Sequence, residues 1–186
     1  MQNLKKYLKN INVCHEFLDI NAYHEFLEWA SNRKTSRYAW LSCPKAEWLF
    51  LLAKRIGIDK NLIILAACDI AESVLHLVPE NEERPRKAIE TTRAFVAGKA
   101  TKQEVCDARC AAAIINAGKR AIDIDDIAYA INAAQASAGC IFNTYSAYYS
   151  ASSAIKASYK KQKEIVDIIR KRIPWEIWKD KLELKN

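Results

Sequence analysis

The sequence predicts an all-α protein: a single-domain bundle of about six to eight helices with an alanine-rich central hairpin. Three observations carry this. Glycine and proline number only four each in 186 residues, too few for the many turns of an all-β chain. Apolar side chains recur at 4-3 spacing along most of the chain, the period of one helix face. Helix start signals recur as well: Pro44 and Pro85 suit a first turn, and Thr101 with Glu104 forms a capping box.

A first helix is expected from Asn21 to Ser31, with Ala22, Phe26 and Trp29 on one face beside Tyr23 and Leu27. Residues 32–42 read as a polar, basic connection interrupted by Tyr38 and Trp40. A second helix starts at Pro44, carries Trp48, Leu49, Leu52 and Ile56 at helical spacing, and stops at Gly57. A third starts at Asp59, a good N-cap, and runs to Pro79. Leu62, Ala66, Ile70, Val74 and Leu77 form its apolar stripe; Asp69, Glu72 and His76 form a polar one. After a short acidic loop, a fourth helix runs from Pro85 to Gly98.

The fifth helix begins at the Thr101 capping box. From Cys110 to Ile115 it is apolar all round, which predicts a central position. A sixth begins near Asp123 to Asp126, where acidic residues favour a helix N-terminus. From there the 4-3 stripe continues through Ile127, Ile131, Ala134, Ala138, Ile141, Tyr145, Tyr148, Ser152, Ile155 and Tyr159, and resumes at Val166, Ile169 and Ile173. One unbroken helix would span roughly 70 Å at 1.5 Å per residue. A compact domain of this size is only about 40 Å across, so a break is expected between Ser150 and Ser158. The last helix ends at Pro174, before an amphipathic tail with Trp175, Ile177, Trp178 and Leu182.

Apolar residues make up 51% and charged residues 27%, ordinary globular usage that excludes disorder as the main state. The net charge of +7 is unevenly spread. From Lys156 onward there are ten Lys/Arg against five Asp/Glu, leaving the rest near neutral. The reading is one domain over 1–186 with a basic amphipathic segment at 156–186, no internal repeat and no dividing linker. No apolar run reaches the roughly 20 residues of a membrane span, and Met1 to Asn12 is polar and lysine-rich, unlike a signal peptide. A cytoplasmic protein without a membrane partner is expected. Its cysteines, Cys14, Cys43, Cys68, Cys106, Cys110 and Cys140, then read as free thiols rather than a disulfide framework.

Four constellations of residues bear on function. The loop between the third and fourth helices implies an antiparallel hairpin, so positions equidistant from it face each other. Asp69 then meets Arg93, Glu72 lies level with Glu90, and His76 lies near Arg86, with Arg84 at the loop end. This polar set is either an ion-pair lock or a pocket with Glu72 and Glu90 as an acid/base pair and His76 assisting. The lock is the commoner use of such residues, and no nucleophile motif or glycine-rich loop accompanies them. Cys106 and Cys110 sit one helical turn apart and Cys14 adjoins His15, yet no paired CxxC spacing exists. No metal site or cofactor is therefore expected, and His24 reads as a surface residue. The basic patch Lys160, Lys161, Lys163, Arg170, Lys171 and Arg172, with Trp175 and Trp178 to stack, is a legitimate nucleic-acid footprint. Glu164, Asp167, Glu176 and Asp180 interrupt it, favouring a docked helix with a solvated basic face. Finally, Tyr145, Tyr148 and Tyr159 fit either a homodimer seam or internal core.

From Cys68 to Gly118 the sequence resembles the helical immunity-protein family of bacterial polymorphic toxin systems. The matching positions are Glu72, then the Arg-Pro-Arg-x-Ala-Ile-Glu-x-x-Arg run at Arg84, Pro85, Arg86, Ala88, Ile89, Glu90 and Arg93, then Gly98, Glu104, Ala108 and Arg109. The alanine-rich sixth helix also fits, whereas the basic, tryptophan-bearing C-terminus departs from the pattern. The resemblance implies a non-enzymatic protein that binds and neutralises a partner protein. The excess positive charge points to an acidic surface on that partner. The partner is a toxin, or a bacterial enzyme or defence complex if the gene is phage-borne. The alternatives are a nucleic-acid-binding regulator using the basic C-terminal helix, and an enzyme with a Glu/His/Arg pocket on the 59–98 hairpin.

Overall fold

A computed structural model of the chain describes residues 25–26, 28–29, 32–33, 35–117, 126–144, 146–158 and 162–183. It contains two compact units, Met1–Cys43 and Pro44–Asn186. Every regular element among the described residues is helical, as the glycine and proline scarcity requires. None of these helices is long and apolar enough to cross a membrane.

In the first unit, residues 25–26 and 28–29 are helical, and Phe26 stacks on Trp29 at 6.5 Å. The guanidinium of Arg33 lies 5.0 Å from the Trp29 ring and 5.6 Å from that of Tyr38. Residues 32–42 are not wholly a connection: α1 spans Ser36–Ser42. The Thr35 hydroxyl accepts the Tyr38 N–H at 3.1 Å, a capping bond that lets a seven-residue helix start where hydrophobic periodicity is too short to register.

The second unit begins with α2, Ala46–Ile56, two residues beyond Pro44. Pro44 thus precedes the helix instead of opening it. Gly57 ends α2 at φ 78, a left-handed conformation that costs glycine little. Helix α3 is Lys60–Ser73, capped by Asp59, whose carboxylate accepts the Asn61 N–H at 2.7 Å. It stops short of Pro79: Val74 leaves helical geometry and a single 3₁₀ turn, Leu75–Leu77, follows. Helix α4, Arg84–Val96, has Pro85 in its first turn. Helix α5, Lys102–Ala117, follows Gly98 at φ 72. Its capping box is complete. The Thr101 N–H donates to Glu104 Oε2 at 2.6 Å, and the Glu104 N–H donates back to Thr101 Oγ1 at 3.2 Å.

The remaining helices are α6, Asp126–Gly139; α7, Ser146–Ala157; α8, Gln162–Arg172; and α9, Trp175–Glu183. Two expectations need correction here. Helix α7 ends at Ala157, so a break falls at the end of the expected stretch, Ser150 to Ser158, but the chain also turns earlier, between Gly139 and Ser146. A Cβ placed on Gly139 would lie 2.9 Å from Ser146 Oγ and 3.2 Å from its Cβ, so the start of α7 packs close against the end of α6. The register also resets there. The buried face of α7 is Ala147, Ser150, Ala151, Ala154 and Ala157, while Tyr148, Ser152 and Ile155 flank it. Tyr145 and Tyr159 lie outside the described residues.

The second correction concerns α5. Val105, Ala108 and Ala112 are buried, but Ile114 is 64% exposed and Cys110 is exposed. Alanine recurs there for its helix propensity, which does not require burial. The centre belongs to α3 and α6. Helix α3 packs against α2, α4, α6, α7 and α8, and α6 against α3, α4, α5, α7 and the 3₁₀ turn. Small side chains on α6 and α7 bring them close. The buried Ser150 hydroxyl lies 3.0 Å from the Ala133 carbonyl oxygen and 3.2 Å from that of Ala67, linking α7 to α6 and α3. Lys60 Nζ donates to the Ile141 carbonyl at 2.6 Å, tying the start of α3 to the α6–α7 turn.

Candidate functional site

Helix α3 buries Ile63, Ile64, Ala66, Ala67, Cys68, Ile70 and Ala71. The complementary stripe, Asp69 and Glu72, faces outward between α4 and α8. Asp69 is 21% exposed and Glu72 50%. From α4, Arg93 Nη2 donates to Asp69 Oδ1 at 2.9 Å and to Glu72 Oε2 at 2.6 Å. From α8, Arg172 Nε donates to Asp69 Oδ2 at 2.7 Å, with its Nη2 2.6 Å from the same oxygen. Each oxygen of Asp69 therefore holds an arginine from a different helix.

The electrostatics follow from these bonds. The hydrogen bond from Arg93 holds the Glu72 carboxyl below its usual range, aided by the charges of Arg93 and Arg86. Glu72 and then Asp69 in turn hold the Arg93 proton more firmly than in water. Beneath them, burial pushes the Cys68 thiol up to about 12 and raises that of Cys140 well above its ordinary value. Both are inert as nucleophiles at neutral pH, because the thiolate is the reactive form.

A cleft of about 350 Å³ opens over this network, lined by Asp69, Glu72, Ile168, Lys171 and Arg172. A shallower groove of about 470 Å³ runs along α8, lined by Lys163, Glu164, Asp167, Ile168 and Lys171. The two depressions share Ile168 and Lys171.

The expected Asp69–Arg93 pairing is present. The rest of the predicted pocket is not assembled with it among the described residues. Arg93 bridges Asp69 and Glu72, one turn apart on α3, so Glu72 is paired with an arginine and not with a second carboxylate. Glu90 is exposed on α4. His76 is exposed on the 3₁₀ turn, which breaks the α-helical phase that would have aligned it with Asp69 and Glu72. Arg84 turns back to its own loop, donating from Nε to Glu82 Oε1 at 2.7 Å. Arg86 is exposed and reaches Glu72 through charge alone. A general acid needs a raised pKa; that of Glu72 is lowered.

The basic patch divides. Lys160 and Lys161 lie outside the described residues. Lys163 and Lys171 are exposed. Arg170 lies 3.5 Å from Asp167, and Arg172 belongs to the α3 network. The sequence carried a signal for this: Ile165, Ile169 and Arg172 keep 4-3 spacing, which puts Arg172 on the docked face of α8. Trp178 is fully buried and is not available to stack on a base. Cys106 is half-buried and Cys110 exposed, both free thiols. Among the described residues no group of three or more His, Cys, Asp or Glu is placed to hold a metal ion. Cys14, His15 and His24 lie outside them.

The sequence profile described as Imm-5 like putative immunity protein matches residues 57–178. The chain belongs to this family. No curated protein and no solved structure matches it. The matched span runs from the glycine that ends α2 to the buried tryptophan of α9. It therefore contains the whole Asp69–Glu72–Arg93–Arg172 network, the cleft above it and every helix from α3 to α8.

Proposed function

We propose that this Imm-5 like chain is a non-enzymatic inhibitor that binds and neutralises a partner protein. The family match over residues 57–178 is the observation that supports the reading. The outward face of the central helix fits it. Its acidic groups are locked to arginines and no acid/base pair is poised there, so the surface presents a fixed pattern of charge. The net charge of +7 favours a partner with an acidic surface, because opposite potentials steer association and suppress wrong partners. The partner is a toxin encoded beside this gene, or a bacterial enzyme or defence complex if the gene is phage-borne. With Trp178 buried and Arg170 and Arg172 facing carboxylates, the stacking residue and two of the bases of the nucleic-acid reading are engaged within the chain.

Co-expression of the chain with the product of the adjacent gene tests this. The expected result is rescue of growth from that product's toxicity and co-purification of the two chains as a stable complex. Failure to rescue, with no complex in size-exclusion chromatography, overturns it.

A further inference from the structure

The cleft over α3 combines saturated acids with unsaturated bases. Asp69 is taken by Arg93 and Arg172, and Glu72 by Arg93. In the α8 groove Asp167 faces Arg170, and Glu164 has an interaction of its own. Lys171, on the rim shared by the two depressions, is exposed and makes no ion pair among the described residues. Lys163, which lines the α8 groove, is exposed in the same way. The floor between them is Ile168, half-buried and common to both depressions. Bases left over around an apolar step complement a strand of acidic polypeptide, not a second copy of this positively charged chain.

We propose that the cleft and the α8 groove together dock an acidic segment of the partner protein. Its apolar side chain sits on Ile168, and its carboxylates are answered by Lys171 and Lys163. The assignment rests on the inhibitor reading for its partner but not for its chemistry. Lys163 and Lys171 lie eight residues apart on one helix, about 12 Å at 1.5 Å per residue. An extended segment advances about 3.3 Å per residue, so carboxylates four residues apart, with an apolar residue between them, match the two lysines. Arg93 and Arg172 sit beneath, held in place by Asp69, and add positive potential without having to be ordered on binding.

The test uses the full ¹⁵N-labelled chain and a synthetic peptide with two glutamates four residues apart flanking a leucine. Chemical-shift changes are expected at Ile168, Lys171 and Glu72, shrinking as salt is raised. Lys171→Glu should weaken binding roughly tenfold with an unchanged circular dichroism spectrum, and Ile168→Ala should weaken it with little change in salt dependence. Shifts mapping elsewhere overturn the proposal. So do equal shifts from the same peptide with lysines for glutamates, or stronger binding of a thymidine oligonucleotide at these residues. The inhibitor reading fails separately. If Lys171→Glu with Lys163→Glu still neutralises the adjacent gene's product at full strength, the docking surface is wrong and the inhibitor stands. If the peptide docks as described and no product is neutralised, the surface stands and the inhibitor does not.

Discussion

Asp69 holds two arginines, one on each carboxylate oxygen, and sits mostly out of water; Glu72 holds one and is half exposed. Exposed pairs contribute about 0.2–1 kcal/mol and less-exposed charged hydrogen bonds about 1.5–3. Asp69→Asn should therefore cost about 1–2 kcal/mol in urea denaturation at neutral pH, and Glu72→Gln less than about 1 kcal/mol. Glu72 and Glu47 should give opposite pH dependences. Glu72 is held low by Arg93, so its contribution is full above the ordinary carboxyl value of 4.5 and is lost as pH falls through its folded value. Glu47 on α2 is raised, chiefly by burial, and its Oε2 is buried without a hydrogen-bond partner among the described residues. Its folded state favours the proton, so stability is full below 4.5 and declines as pH rises through the folded value. Glu47→Gln should raise the urea midpoint at neutral pH and leave it unchanged in acid, whereas Glu72→Gln should lower it at neutral pH and converge with wild type in acid.

Single elements were legible where a local signal names its own partner. The Thr101–Glu104 box, the Asp59 cap and the Gly57 stop all form as their spacing implies, because each depends on backbone within a few residues. The α6–α7 turn was not legible. Both helices face one core, so 4-3 spacing runs across the turn and hides it, while the deciding residue, Gly139, looks like any small residue in an alanine-rich run. Gly139→Ala places a methyl 2.9 Å from Ser146 Oγ and 3.2 Å from its Cβ. It should cost about 1–3 kcal/mol in thermal or urea unfolding. Part of that should return in Gly139→Ala with Ser146→Gly, which removes both clashing atoms.

At the scale of the whole molecule, the all-helical class followed from composition and period alone. The candidate site did so only in part. Asp69 opposite Arg93 follows from hairpin geometry, but the third member, Arg172, comes from 103 residues away. Its place depends on how α8 docks, which charge counting along α8 does not reveal. His76 shared the apparent stripe with Asp69 and Glu72 and is set apart from them by a 3₁₀ turn that no spacing announced. The packing of α3 against α6 and α7 also fixes the fate of the thiols. Cys68 and Cys140 are fully buried and Cys110 is exposed. Under native conditions iodoacetamide should modify Cys110 well before Cys68 and Cys140, which should react only at the rate of global unfolding, as followed by peptide mass spectrometry.

The bond between Arg172 and Asp69 also has a bearing on biosynthesis. A ribosome releases the chain from its N-terminus, so Asp69 emerges long before the helix that supplies its second arginine. Until then Asp69 has only Arg93, and the wall of the cleft formed by Ile168 and Lys171 does not exist. A product ended by a premature stop or a protease cut ahead of α8 carries the hairpin but not the finished surface. Synthesis through α8 is therefore built into the site, and fragments that stop short of it should lack the Arg172–Asp69 bond and the cleft beside it.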